Sequence, residues 1–314
     1  MKPTTRLPLP ALRATCLCGL LLSAGAAGAT SLDFGASLSP QGGSLLRAGV
    51  GDLPLAGFTL GAGLSSRGLD FSVSRALVLT GLGAARARFD GAALWSGGLR
   101  GGLWSGGLRG GLNLSGTLGP LALALAGSAW NASVDRFDPL ARWAEAAPDL
   151  RDAGAALALS GRYRLSRAWV LNAQGQLGGQ PNLLAYGELR RGALSYRLGL
   201  RAGEGVLGAA AGLSYAAEDG LSLSADALFG PDSLGLSASL GLDGRLGEDS
   251  RLRAYAAYEP WRKAEVTAAL RYGLEVRVKA GPGQLSLEGR GGSGGYGARV
   301  GYVLPLGGEN ADQP

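Results

Sequence analysis

Histidine and isoleucine are both missing from the 314 residues, and only one Met is present. Without His, every catalytic dyad or triad that needs imidazole is excluded, as is every His-containing metal site. Charge is scarce too: 17% of residues are charged, against about a quarter in ordinary soluble domains. Cysteine occurs only at Cys16 and Cys18. What is abundant is glycine, 56 residues, beside 14 Pro and an apolar share of 46%. No G-X-Y period is present, and the apolar share is too high for a disordered chain.

The two cysteines lie in a segment of distinct character. Lys2, Arg6 and Arg13 precede an uncharged stretch from Ala14 to Ala29, centred on Leu20, Leu21 and Leu22. It ends in Ala27-Gly28-Ala29, the small-x-small pattern of a signal peptidase site. Residues 1–29 are therefore expected to be a secretory signal. Its apolar core is short for a membrane anchor, which needs about 20 residues. Neither Cys sits in a good lipoprotein context, since Cys16 follows Thr15 and Cys18 follows Leu17. Cleavage after Ala29 removes both cysteines, so the mature chain has no disulfide, no thiol nucleophile and no Cys metal site. It also removes three of the 30 basic residues, leaving 27 against 24 acidic ones, so the formal +6 falls to +3. A helical span elsewhere is rejected. The uncharged run Gly110 to Val134 is broken at Gly119-Pro120, and its apolar part, Leu121 to Trp130, is too short.

From residue 30 onward, apolar and polar residues alternate. Leu157/Leu159/Gly161/Tyr163, Leu194/Tyr196/Leu198/Leu200, Leu234/Leu236/Ala238/Leu240/Leu242 and Val266/Ala268/Leu270/Tyr272 are examples. A period of two over eight to eleven residues marks half-buried strands. The joints carry turn residues, such as Glu218-Asp219-Gly220 and Gly281-Pro282-Gly283. Short joints imply an antiparallel meander. Leu and Ala favour helices and β-branched residues are few, but the glycine content and the missing 3.6-residue period decide for strands. Between residues 154 and 304 every strand charge falls on the other face. These are Arg162, Arg164, Arg190, Arg197, Arg201, Arg251, Arg253, Arg271, Arg277, Lys279, Arg290 and Arg299, with Glu188, Asp226, Glu265, Glu275 and Glu288. Twelve basic against five acidic residues give that face a net +7. In the N-terminal half, Asp33, Arg47, Asp70, Arg86 and Arg88 likewise oppose apolar neighbours, whereas Arg75 breaks the register and predicts a bulge or turn.

About 18–20 strands can be counted, too many for one sandwich, so the sheet is expected to close or split. Tyr163, Trp169, Tyr215, Phe229, Tyr258, Tyr272, Tyr296 and Tyr302 fall toward strand ends, the position of aromatic girdles at the two interfaces of a bilayer. In lipid, strands must close so that no edge is left unpaired. Soluble alternatives fit less well: a β-solenoid needs a fixed repeat that is not visible, and a lipocalin-like barrel uses only eight strands. Exported, His-free, alternating and Gly-rich, residues 31–306 resemble bacterial outer-membrane β-barrels of the porin type. The resemblance is architectural and rests on no family-specific motif. It implies a closed, all-β, antiparallel up-and-down transmembrane barrel of about 16–20 strands over residues 30–306. Such barrels commonly finish on an aromatic residue, whereas this chain runs past Tyr302 into a polar tail, 307–314.

Two segments interrupt the pattern. Residues 94–102 recur identically at 103–111, presenting Trp95 and Trp104 with Arg100 and Arg109. The choice is between a repeated binding loop and a tolerated duplication, with a turn expected in each Gly-Gly pair. Residues 131–153 do not alternate. Asp138-Pro139 reads as an N-cap and first helical position, with Leu140, Trp143 and Ala147 on one helical face. Asp135, Asp138, Glu145 and Asp149 suit either a constriction loop facing wall arginines or an exposed surface loop. If both termini are periplasmic and twelve strands follow, this loop is also periplasmic.

Barrel enzymes of the outer membrane look to a His for their general base, and this chain has none, so no enzyme is expected. No cofactor or metal is expected either. The run Gly291–Gly297 lacks the Lys and helix of a phosphate loop and reads as a hairpin turn, and no aromatic-basic motif points to nucleic acid. The expected partners are membrane lipid and small polar or anionic solutes; oligomeric state is left open. The twelve basic residues are taken as pore-lining and anion-selecting, which implies passive diffusion of small hydrophilic solutes. The alternative is a structural or surface-exposed barrel without specific cargo.

Overall fold

A computed structural model of the chain describes residues 31–79, 83–95, 106–178, 181–203, 206–230, 233–247 and 249–306. The expected signal segment and polar tail lie outside these residues, as do Arg100 and Trp104 of the duplication.

Alternation becomes strand throughout. The first seven are β1 (Ser31–Ser39), β2 (Gly43–Leu55), β3 (Phe58–Ser65), β4 (Gly68–Leu79), β5 (Gly83–Leu94), β6 (Gly107–Leu118) and β7 (Leu121–Trp130). After the segment 131–153 come β8 (Gly154–Arg164), β9 (Trp169–Gly178), β10 (Asn182–Arg191), β11 (Leu194–Gly203), β12 (Val206–Ala216) and β13 (Leu221–Phe229). The last five are β14 (Leu234–Asp243), β15 (Arg251–Tyr258), β16 (Leu270–Ala280), β17 (Gly283–Gly292) and β18 (Gly295–Pro305). Each strand pairs antiparallel with its sequence neighbours, and β1 pairs with β18 from Ser31↔Pro305 to Leu38↔Ala298. The 18-stranded sheet is therefore closed, and no strand presents an unpaired edge.

Strand 1 and strand 18 meet with Ser31 and Pro305 at the same end, here called the terminal end. Its connections are mostly tight. At Gly281 (φ +60°) the left-handed first turn residue is followed by Pro282, whose fixed φ suits the second position. The opposite end, the loop end, carries the longer described segments 131–153 and 259–269. Seven strands precede residues 131–153 and eleven follow. The count of twelve is thus corrected by one, which moves this loop to the end opposite the termini.

The two faces separate as the alternation requires. Outward positions are mostly apolar and uncovered: Leu159 is 56% exposed, Leu198 72% and Leu200 62%. Tyr163, Trp169, Tyr215 and Tyr302 stand on this face near the terminal end, and Phe229, Tyr258, Tyr272 and Tyr296 near the loop end. Such an apolar band between aromatic belts is a lipid-facing surface. Packing by buried apolar side chains occurs instead inside the barrel, where Leu140 and Trp143 have no exposed surface at all.

Three local expectations are corrected. Arg75 causes no bulge: β4 pairs with β5 without interruption from Gly68↔Leu94 to Leu79↔Gly83. It sits on the outer face near the terminal end, with its guanidinium 4.8 Å from the centre of the Phe58 ring. A long apolar stem and a ring partner let the cation reach the interface without breaking the ladder. The register shift falls between Val50 and Leu53, around Asp52 at φ +54°. Second, residues 259–269 are not strand, so Val266 and Ala268 do not continue β16 and Glu265 is no wall residue. Pro260, which cannot donate to a ladder, follows the end of β15. Third, Gly110-Gly111 of the second repeat copy forms no turn. Both lie inside β6, opposite Gly91 and Asp90.

Mid-strand outward positions should therefore refuse charge where inward ones accept it. Leu159→Arg should lower folding stability by about 2–4 kcal/mol, measured by urea titration in lipid vesicles. Ser160→Arg, one residue on and facing inward, should change it by well under half as much.

Candidate functional site: the barrel lumen

All twelve of the basic residues singled out from the sequence occupy inward register positions, and the two ends of the barrel use them differently. Arg201, Arg271, Arg290 and Arg299 lie toward the loop end, where two segments fold inward and engage them. Residues 131–153 contain one turn of helix, α1 (Val134–Phe137), and a 3₁₀ turn at Ala141–Trp143. Asp138 is the residue that ends α1 rather than an N-cap, and its carboxylate accepts the Leu140 N–H at 3.0 Å. The loop is nailed to the β15–β18 wall. Asp138 pairs with Arg299, Arg290 donates to the Leu140 carbonyl at 3.3 Å, and Trp143 Nε1 donates to the Ser293 carbonyl at 3.1 Å. The Tyr255 hydroxyl donates to the Trp143 carbonyl. Gly297 makes the approach feasible, because a Cβ there would stand 3.0 Å from Leu140 Cδ1. On the other side Arg67, between β3 and β4, donates to the carbonyls of Asp135 and Arg136.

Of the four acidic loop residues, only Asp138 forms an ion pair with a wall arginine among the described residues. Asp135 is held within the loop by Arg142 at 2.6 Å, and Asp149 by Arg151 at 2.7 Å. Glu145 borders a cavity beneath the loop together with Tyr255, Glu259 and Arg262. The surface-loop alternative is thus replaced by a loop that enters the barrel.

The second inward segment, 259–269, replaces the start of the strand that alternation predicts from Glu265 onward. Glu259 binds Arg271 at 2.7 Å and Arg262 at 3.1 Å, with all three side chains nearly buried. Trp261 lies under the Arg201 guanidinium, 4.6 Å from ring centre to Cζ. The two loops also touch, through the Leu150 N–H on the Val266 carbonyl at 2.9 Å. Arg201 and Arg271 are 4% and 3% exposed, so they hold a loop in place and do not face open lumen. The sequence signal for this segment was Pro260, set against an alternation that ran on by chance.

Toward the terminal end the remaining eight form a basic belt: Arg162, Arg164, Arg190, Arg197, Arg251, Arg253, Arg277 and Lys279. Four are neutralised locally, Arg190 by Glu188 (2.6 Å), Arg197 by Asp226 (2.7 Å), Arg251 by Asp243 (2.9 Å) and Arg277 by Glu275 (2.5 Å). Among the described residues, Arg162, Arg164, Arg253 and Lys279 form no ion pair. Asp243 is an inward carboxylate that the sequence count omitted, and it replaces Glu265, so the inward balance of β8–β18 stays at twelve basic and five acidic residues.

The wall from β1 to β9 carries a mixed set. Arg47 pairs with Asp70 at 2.5 Å and Arg88 with Asp90 at 2.8 Å. These residues, with Asp33, Arg109 and Asp149, border a cavity of about 840 Å³. A second cavity of about 600 Å³ lies against β4–β10 near the terminal end.

Fold and lumen together define a class: a closed antiparallel transmembrane β-barrel with an apolar exterior, a charged interior and two inward-folded loops. No protein-family model matches the chain, and no curated protein matches its sequence. Among solved structures, a fivefold-substituted variant of the Rh. blastica porin aligns over 87% of this chain and 97% of its own, at 12% identity and a TM-score of 0.45. A triple mutant of the Rhodopseudomonas blastica porin aligns over the same shares at 11% identity and a TM-score of 0.45. A structure described as "Asymmetric conductivity of engineered proteins" gives 11% identity and a TM-score of 0.47 over those shares. The likeness is one of barrel architecture, and no residue role passes from those proteins to this chain.

The Glu259 cluster gives the loop its pH dependence. Burial pushes this carboxyl upward, but the Arg262 and Arg271 guanidinia outweigh it and hold the pKa below the ordinary 4.5. A depressed carboxyl pKa stabilises the folded form above the ordinary value, and that contribution is lost as pH falls through the depressed one. Loop 259–269 should therefore be protease-resistant at neutral pH and become cleavable in strong acid by an acid-active protease. Glu259→Gln, which leaves buried guanidinia without their counter-charge, should open the loop at neutral pH at a cost of about 3–5 kcal/mol. Equal cleavage rates for both proteins would contradict this role.

Proposed function

We propose that the chain is a bacterial outer-membrane channel for passive diffusion of small hydrophilic solutes, with a preference for anions. The observation that carries this reading is the lumen itself: a charged inner wall with cavities of about 840 and 600 Å³ beside the anchored loops. A barrel needed only as a lipid-embedded scaffold gains nothing from lining its interior with so many charges, whereas rings of arginine attract and select anions. The preference is expected to come from the terminal-end belt, because ion pairs or loop contacts engage the loop-end cations. Arg162, Arg164, Arg253 and Lys279 are its unneutralised members. The loop 131–153 narrows the path from the other end. With the termini periplasmic, that loop faces the cell exterior.

The second reading, a structural barrel without cargo, is favoured by the fully buried Leu140 and Trp143, which fix the loop inside the lumen. Planar-bilayer recording separates the two. A channel gives discrete current steps, and under a salt gradient its reversal potential takes the sign of anion selectivity. The combined variant R162Q/R164Q/R253Q/K279Q should move the permeability ratio toward unity. Absence of steps would favour the scaffold reading, and cation selectivity would refute the belt.

A further inference from the structure

At the edge of the basic belt one stretch of wall is shaped as a pocket. Arg86 on β5 and Arg162 on β8 both border the 600 Å³ cavity, and among the described residues no carboxylate borders it. Neither arginine forms an ion pair among the described residues, and both are exposed. Between them lie the two strands β6 and β7, whose inward side chains here are small. Arg86 shares its hydrogen-bonded row with Ser115, Ala124 and Ser160, and Arg162 shares the next inward row with Ala122 and Thr117. Strands sit about 4.8 Å apart, so three steps separate the two arginine backbones by roughly 14 Å. Two arginine stems extended over a floor of Ala, Ser and Thr can therefore approach one bound solute from opposite sides. Hydroxyl groups of Ser115, Thr117, Ser160 and Tyr186 surround the floor.

The chemistry of this surface is one-sided. Guanidinium groups only donate hydrogen bonds, and they match carboxylate and phosphate oxygens in a planar, two-pronged geometry. Elsewhere in the belt, Arg190, Arg197, Arg251 and Arg277 spend this capacity on wall carboxylates. Here no carboxylate among the described residues takes it up. The volume is that of a small-molecule site.

We propose that Arg86 and Arg162 form a binding subsite for small organic dianions, which dwell there on their way through the lumen. This deepens the anion-channel reading and rests on it for the ligand's route, but binding itself does not require conduction. Two guanidinia on opposite sides favour a solute with an anionic group at each end over one with a single charge.

The test uses the full detergent-solubilised barrel and succinate as the probe, with acetate at equal ionic strength as the single-charge comparison. Titration calorimetry should show saturable succinate binding with acetate at least about tenfold weaker, and each of R86Q and R162Q should weaken succinate about tenfold. Arg167→Gln, in the turn between β8 and β9, should leave the isotherm unchanged. Equal binding of the two anions, or unaltered succinate binding in R86Q/R162Q, would overturn the subsite. Bilayer recording of the same preparations keeps the two ideas apart. Current steps without succinate binding remove the subsite and leave the channel, whereas binding without steps removes the channel and leaves the subsite.

Discussion

Everything in this structure depends on the pairing of β1 with β18. A backbone N–H or C=O left bare in hydrocarbon costs several kcal/mol, and water cannot relieve it there. Closure satisfies both edges at once, at the price of fixing the inside and outside of every strand. Once closed, the alternation of side chains is no longer free to slip, because a shift of one residue would turn an entire apolar row inward and its charges into lipid. The eighteen strands also set the interior width. A barrel of this size is too wide for wall side chains alone to fill, and the space is divided between cavities and the inward loops.

The loops turn a symmetric cylinder into an asymmetric one. Both long described segments at the loop end fold inward, and both are held by cations already on the wall: Arg299 and Arg290 for residues 131–153, Arg271 and Arg201 for residues 259–269. The described connections at the terminal end are mostly short and none folds inward onto the wall cations, so those cations face the lumen. The same set of inward arginines therefore serves two purposes, decided by which end of a strand each occupies. Exposed ion pairs of the belt contribute little to stability, whereas the nearly buried Glu259 cluster costs much if one partner is removed.

Most of the architecture was legible in the sequence because period-two alternation is a local property. Leu157, Leu159 and Tyr163 could be placed outside, and Ser160 and Arg162 inside, from spacing alone. The misjudged places are those where a local rule met a longer-range one. Arg75 looked like a break because its outward ring partner, Phe58, belongs to another strand. Residues 265–268 looked like strand because a short alternation arises by chance, and Pro260 was the discordant residue. The lumen residues were readable as a face but not as a site. Which arginines meet a carboxylate depends on cross-strand register, as with Arg197 and Asp226 across β12, and on where loops return. Arg86 stood on the polar face from the start, yet its convergence with Arg162 needed the β5–β8 register.

The central claim is that consecutive residues along each strand alternate between lipid and an aqueous lumen. Beyond Cys16 and Cys18, both in the expected signal segment, the chain has no cysteine, so single-cysteine spin labels can be placed along β8 without background. In lipid vesicles, labels at positions 155, 157, 159 and 161 should be relaxed preferentially by oxygen dissolved in the bilayer. Labels at 156, 158 and 160 should respond to a water-soluble nickel chelate. An accessibility that failed to alternate, or that was aqueous on both faces, would contradict the closed lipid-embedded barrel and the channel reading built on it.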